Sequence, residues 1–127
     1  MTTKLEAIHP VLMSRDVPKS IQFYQRLGFK LLGQDAAVDP KYARMERDGV
    51  ELDFQWHDAK EWDYPNDRPS YRFAVSDVDG LHAEIRSSGV SDMTDVSETP
   101  WGTREFHVSD ADLNLLQFYR WREEIGD

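Results

Sequence analysis

The chain repeats itself. Pro10-Val-Leu-Met-Ser-Arg-Asp16-Val17 and Tyr71-Arg-Phe-Ala-Val-Ser-Asp77-Val78 are both short, largely apolar runs that end in Asp-Val, set 61 residues apart. Gly28 and Gly89 share that offset, so the Asp-to-Gly interval has the same length in both copies. Matching capping signals at one spacing suggest duplication, and 127 residues suit one domain built from two diverged copies.

Each Asp-to-Gly interval reads as a helix. Asp16 can cap the free amides of the first turn, Pro18 sits where its missing N–H costs little, and Gly28 suits the left-handed stop. Ile21, Tyr24 and Leu27 recur at helical spacing, while Lys19, Gln22 and Arg26 face water. The second copy has Asp77 as cap, Leu81 and Ile85 on one face, His82 beside that stripe as a surface residue, and Gly89 as stop.

Strands follow. Tyr42 to Glu46 leads into Arg47-Asp48-Gly49, a strong hairpin signal. Val50 to Trp56 then alternates, with Leu52, Phe54 and Trp56 on an apolar face and Glu51, Asp53 and Gln55 on a polar one. In the second half, Arg104 to Val108 and Leu115 to Tyr119 flank a turn over 109–114. The polar stretch 58–69, with Pro65 and Pro69, reads as a linker. The halves then span about 5–57 and about 70–121, each a strand, a helix and two or three further strands. Two such halves put helices outside and curve their strands into a cup lined by the polar faces. The alternative for Glu51, Asp53 and Gln55 is a solvated strand face.

Composition narrows the partners. A net charge of -9 repels phosphate, so nucleic acid and anionic membranes are poor partners. It would attract a cationic ligand, or serve solubility alone. The chain has no cysteine, which excludes disulfides and thiolate chemistry and fits a reducing cytoplasm. No apolar run is long enough to span a membrane, and Met1 to Ile8 lacks the layout of a secretory signal. No nucleophile elbow or Gly-rich phosphate loop is present.

The stretch His9-Pro-Val-Leu-Met-Ser-Arg-Asp-Val-Pro-Lys-Ser-Ile-Gln-Phe-Tyr24 with Leu27-Gly28-Phe29, and the closing Pro100-Trp-Gly-Thr-Arg-Glu-Phe106, Asp110-Ala-Asp-Leu-Asn114 and Leu116-Gln-Phe118, resemble the vicinal oxygen chelate superfamily. That superfamily includes glyoxalase I, extradiol dioxygenases, and fosfomycin- and bleomycin-resistance proteins; the closing stretch looks most like the last. The resemblance covers nearly the whole chain. It implies an α+β fold of two tandem βαβββ modules that form a curved sheet cup with helices outside. It also implies a homodimer, with exchange of the N-terminal strand suggested by Pro10.

Two functions follow from the resemblance. The first is capture of a small molecule without chemistry, as the bleomycin-resistance proteins capture their drug. A bulky cation with a flat heteroaromatic tail needs acidic walls and stacking surfaces. Tyr42, Glu51, Asp53, Trp62, Tyr71, Trp101 and Gln117 are the expected ligand-binding residues, with no cofactor and no catalytic residue. Trp56 reads as core packing. The second is a metal-dependent lyase, isomerase, dioxygenase or transferase. His9 and Glu51 match the first-half ligand positions for one Ni, Zn, Fe or Mn ion. The second half departs: Ser70 or Tyr71 stands where the family has His, and Gln117 where it has Glu. His107 is a substitute ligand only if it points into the cup, and Glu51 could also act as a base without metal.

Overall fold

The computed structural model describes residues 2–61 and 69–125. The first half runs β1 (Val11–Ser14), α1 (Val17–Arg26), β2 (Lys30–Gln34), β3 (Tyr42–Arg47) and β4 (Val50–Trp56). A single 3-10 turn, Ala59–Glu61, follows. The second half runs β5 (Ser70–Ala74), α2 (Val78–Ser87), β6 (Ser97–Glu98), β7 (Thr103–Ser109) and β8 (Leu115–Trp121), and a short α3 (Arg122–Ile125) ends the described chain.

Both halves are βαβββ modules with the same strand order. One four-stranded sheet is β1-β4-β3-β2 and the other is β5-β8-β7-β6. In each, the first strand pairs parallel to the last, and the remaining pairings are antiparallel. The duplication read from Asp16/Asp77 and Gly28/Gly89 is thus a duplication of topology.

The local signals act as expected. The Asp16 carboxylate accepts from the Lys19 amide at 3.2 Å, and Asp77 accepts from Gly80 at 3.0 Å. Gly28 has φ +87°, a conformation that favours glycine, and a Cβ there would lie 2.8 Å from Arg47 Nη1 and push that side chain aside. Asp48 and Gly49 both have positive φ, as the two-residue turn between right-twisted strands requires.

The apolar faces meet in one core. α1 contributes Val17, Ile21 and Tyr24, and α2 contributes Val78 and Ile85. They join Leu12, Leu52 and Phe54 from the first sheet and Phe106, Val108, Leu116 and Phe118 from the second in a single buried cluster. His82 is tied to this region, with its ring edge-on to Phe106 and Nε2 within 3.1 Å of the Thr94 carbonyl. Trp56 departs from the expected core position. It is 36% exposed; its Nε1 donates to the Arg15 carbonyl, and the Lys41 ammonium lies 4.5 Å above the ring. It ends β4, where its sheet face has run out of neighbours to cover it.

Among the described residues no strand of one sheet pairs with a strand of the other. Side chains join the halves instead. Tyr24 Oη donates to Asp110 at 2.7 Å, and Asn114 Nδ2 donates both to Asp110 and to the Met13 carbonyl. Asp110 also accepts from the amides of Asp112 and Asn114. Arg15 binds Asp112 at 2.9 Å. At the other side Arg47 bonds Glu84 at 2.6 Å and 3.1 Å and the Leu27 carbonyl at 2.7 Å.

Burial raises the Tyr24 phenol well above its ordinary value, and the Asp110 charge adds to the shift, so Tyr24 stays a donor. Removing either partner strands buried polar groups. Tyr24→Phe is expected to lower unfolding free energy by about 1.5 kcal/mol, and Asp110→Ala by about 3 kcal/mol because several donors lose their acceptor. Urea unfolding followed by tryptophan fluorescence measures both.

Candidate functional site

Strand alternation places Tyr42 and Arg44 of β3 beside Glu51 and Asp53 of β4 on the sheet face opposite the core. Tyr42 Oη donates to Asp53 Oδ2 at 2.7 Å. Arg44 grips Glu51 with two bonds, Nε to Oε2 at 3.1 Å and Nη2 to Oε1 at 3.0 Å. His9, just before β1, brings Nδ1 to 3.2 Å from Glu51 Oε2. Asp53 is only 8% exposed, and its Oδ1 is the one buried side-chain oxygen without a hydrogen-bond partner among the described residues.

The electrostatics follow from that crowding. Burial raises the Asp53 pKa, the Tyr42 hydroxyl opposes it, and adjoining Glu51 raises it further. Tyr42 is pushed up to about 12, first by its bond to Asp53. The Arg44 hydrogen bonds hold Glu51 below the ordinary carboxylate range.

The second sheet carries a different set on the corresponding face. Arg72 of β5, Glu105 and His107 of β7, and Gln117 and Tyr119 of β8 share it. Arg72 donates to Gln117 Oε1 at 2.7 Å, reaches Glu105 at 3.5 Å, and lies 4.2 Å over the Tyr119 ring. The Glu105 side chain is 2% exposed; it accepts from Thr103 Oγ1 at 2.5 Å and meets His107 Nε2 at 2.5 Å. Burial pulls its pKa up, but the Thr103 hydroxyl, His107 and Arg72 together hold it lower than usual.

The expected ligand-binding residues are thus divided. Tyr42, Glu51 and Asp53 come together on the first sheet. Gln117 lies on the second. Among the described residues, no hydrogen bond or ion pair joins the two clusters. Tyr71 points the other way from Arg72, packed against the core, where burial raises its phenol. Trp101 is 61% exposed on a turn braced by Gly102 N–H to the Thr99 carbonyl, the Thr99–Thr103 hydroxyl pair and Arg122 N–H to the Gly102 carbonyl. Trp62 lies outside the described residues. Sequence reading missed Arg44, Arg72, Glu105 and the Tyr119–Trp121 ring pair, 6.1 Å apart. Parity along β3, β7 and β8 was their signal: Arg44 is two from Tyr42, Glu105 two from His107, and Tyr119 and Trp121 two and four from Gln117.

A metal centre of the superfamily type can be tested against these donors. His9, Glu51 and Asp53 offer one ligand atom each within 4.8 Å of one another. Both Glu51 oxygens are already held by Arg44. On the second sheet Ser70 faces Leu115 and Arg72 faces Gln117 across β5–β8, so a guanidinium and neutral groups stand where ligands are needed. His107 has its Nε2 committed to Glu105. The residues do not fit a four-ligand metal centre.

Glu105 gives a pH test. Its lowered folded pKa contributes stability above the ordinary value of 4.5, which is lost as pH falls through the folded value. Unfolding free energy of the native protein is expected to drop below about pH 4.5, and to drop less steeply in Glu105→Gln. Urea titrations across pH 3 to 6 measure the difference.

Solved structures resemble this fold. A bleomycin-binding protein complexed with bleomycin superposes with TM-score 0.79 at 23% identity, over 91% of this chain and 98% of that one. A bleomycin-binding protein from bleomycin-producing Streptomyces verticillus, complexed with copper(II)-bleomycin, gives TM-score 0.73 at 30% identity, over 92% and 97%. A glyoxalase-related enzyme from Clostridium phytofermentans gives 0.75 at 17% identity, over 94% and 97%. No curated protein matches the chain in sequence. No helix among the described residues is long and apolar enough to cross a membrane. The sequence profile of the Glyoxalase/Bleomycin resistance protein/Dioxygenase superfamily matches residues 7–118, and the chain belongs to that superfamily.

Proposed function

We propose that this protein captures a bulky cationic aromatic molecule of the bleomycin kind and holds it without altering it. The observation that carries this reading is the polar face of the first sheet, where Asp53 and Glu51 stand together beside Tyr42. Glu51 is held by Arg44, so the acceptor left for a cationic group is Asp53 Oδ1, which is buried without a donor. The braced, exposed Trp101 offers a stacking surface whose ordering costs little on binding. The Streptomyces verticillus protein, 30% identical over nearly the full chain, is complexed with copper(II)-bleomycin.

The working unit in this reading is a cytoplasmic homodimer. Leu5 and Ile8, in the stretch before β1, are almost fully exposed, and β1 and β5 each leave an edge unpaired among the described residues. A second copy would cover those groups.

Calorimetric titration with metal-free bleomycin and with copper(II)-bleomycin tests the proposal. The expected result is saturable binding that weakens with added salt, with the drug recovered unchanged by mass after denaturation. Asp53→Asn and Trp101→Ala are each expected to weaken binding about tenfold, which is about 1.4 kcal/mol. No binding, or a chemically altered drug, overturns it.

The clustering of His9, Glu51 and Asp53 makes metal content the second measurement. Protein purified without chelator is expected to carry well under one transition metal per chain. Stoichiometric metal, lost in His9→Ala, would favour the metalloenzyme.

A further inference from the structure

A cleft of about 680 Å³ lies between the modules on the helix side of the sheets, away from both polar faces. That volume falls in the range of small-molecule sites. The first module supplies one wall, with Phe29 after α1 and Arg47, Asp48 and Val50 at the β3–β4 turn. The second supplies the other, with Phe73 of β5, Val75 just after it, and Leu81 and Glu84 of α2.

Aromatic rings form much of its apolar lining. Phe73 stacks on Phe118 with centroids 5.1 Å apart, and Phe29 meets Phe73 edge-on at 6.5 Å. Phe29 and Phe118 are buried, but Phe73, Val75 and Leu81 are only partly so, and Val50 is 48% exposed. Neither module covers the apolar surface that these side chains leave in water. A flat apolar body between the walls would cover it from both sides. The rings already hold one another in place, so little ordering is lost on binding.

The rim sets the charge of the occupant. Asp48, Asp77 and Glu84 line the cleft against one cation, Arg47. Arg47 is already committed: Nε donates to Asp48, Nη1 to Glu84 and the Leu27 carbonyl, and Nη2 to Glu84. Asp77 accepts from the Gly80 amide and pairs with no Lys or Arg among the described residues. The rim therefore keeps an excess of negative charge beside aromatic rings, which repels an anion and attracts an ammonium.

We propose that this inter-module cleft binds a small aromatic amine, its ring among Phe73, Val75 and Leu81 and its ammonium at the rim formed by Asp48, Asp77 and Glu84. Such a ligand touches both modules, so it binds only their docked arrangement and stabilises it. The cleft is separate from the cluster of Tyr42, Glu51 and Asp53. It does not rest on drug capture by the first sheet and survives its failure.

The probes are 1-naphthylmethylamine, 1-naphthalenemethanol and 1-naphthoate, which share a ring and carry a cationic, a neutral and an anionic head. Titration into the intact isotope-labelled protein, followed by amide NMR, reads affinity and place together. The amine is expected to shift the amides of Val50, Phe73, Val75 and Leu81 and to leave those of Tyr42 and Asp53 unmoved. It is expected to bind about fivefold more tightly than the alcohol, with the naphthoate weakest. Saturating amine is expected to raise the midpoint of thermal unfolding. The double variant Asp48→Asn, Asp77→Asn removes two charges and keeps both local roles, because asparagine tolerates the positive φ of Asp48 and caps a helix as aspartate does. It is expected to bring the affinity for the amine down to that for the alcohol and to leave the alcohol's unchanged. No shift at the cleft amides with any probe, shifts confined to Tyr42 and Asp53, or an alcohol or naphthoate that binds as tightly as the amine overturns the proposal. A folded double variant that keeps the full preference for the amine overturns the role given to the rim.

Discussion

Everything in this fold depends on one buried carboxylate between the two modules. Asp110, in the β7–β8 turn, accepts from a helix phenol of the first module and from an asparagine side chain and two backbone amides of its own turn. Burial drives its pKa up, and the donors around it oppose that shift. The arrangement converts the cost of a buried charge into geometry. Tyr24 cannot leave its place beside Phe54 without taking a donor from the carboxylate, and the turn cannot open without exposing it. Hydrophobic burial supplies the attraction between modules, but the hydrogen bonds choose one orientation.

That orientation sends both polar faces away from the core. Each module keeps its helix on the apolar side of its sheet and leaves the other side to polar residues. The two faces have since diverged. The first gathers Glu51 and Asp53 around Tyr42 and Arg44. The second buries Glu105 among Arg72, Thr103 and His107. One topology thus supports two unlike surfaces, because alternation along a strand isolates each face from the packing behind it.

The sequence spoke most clearly where the backbone itself was constrained. Asp16, Gly28, Asp77, Gly89 and Asp48-Gly49 each act through local geometry, so module, helix and hairpin could be read from them. Alternation over Val50 to Trp56 placed Glu51 and Asp53 correctly, since a strand face is a matter of parity. Tyr71 and Ser70 could not be separated, because one residue of register reverses a strand. Pairing with Leu115 and Leu116 fixes that register, and pairing partners lie 45 residues away along the chain. Glu105 was invisible for another reason. An acid between Arg104 and Phe106 looks like a surface residue until Arg72, from a distant strand, is seen above it. Trp56 was misjudged because alternation continues past the point where the core ends.

Because no strand crosses from one sheet to the other among the described residues, the modules meet through the shared apolar core and through polar contacts at Asp110, Asp112, Asn114 and Arg47. A strand register shared between them would have made any insertion or shift in one sheet propagate into the other. Here it does not. Substitutions on one outer face can accumulate under selection for a new ligand while the other stays as it is. A duplicated chain built this way can change the residues of one sheet's outer face without re-pairing the strands of the other.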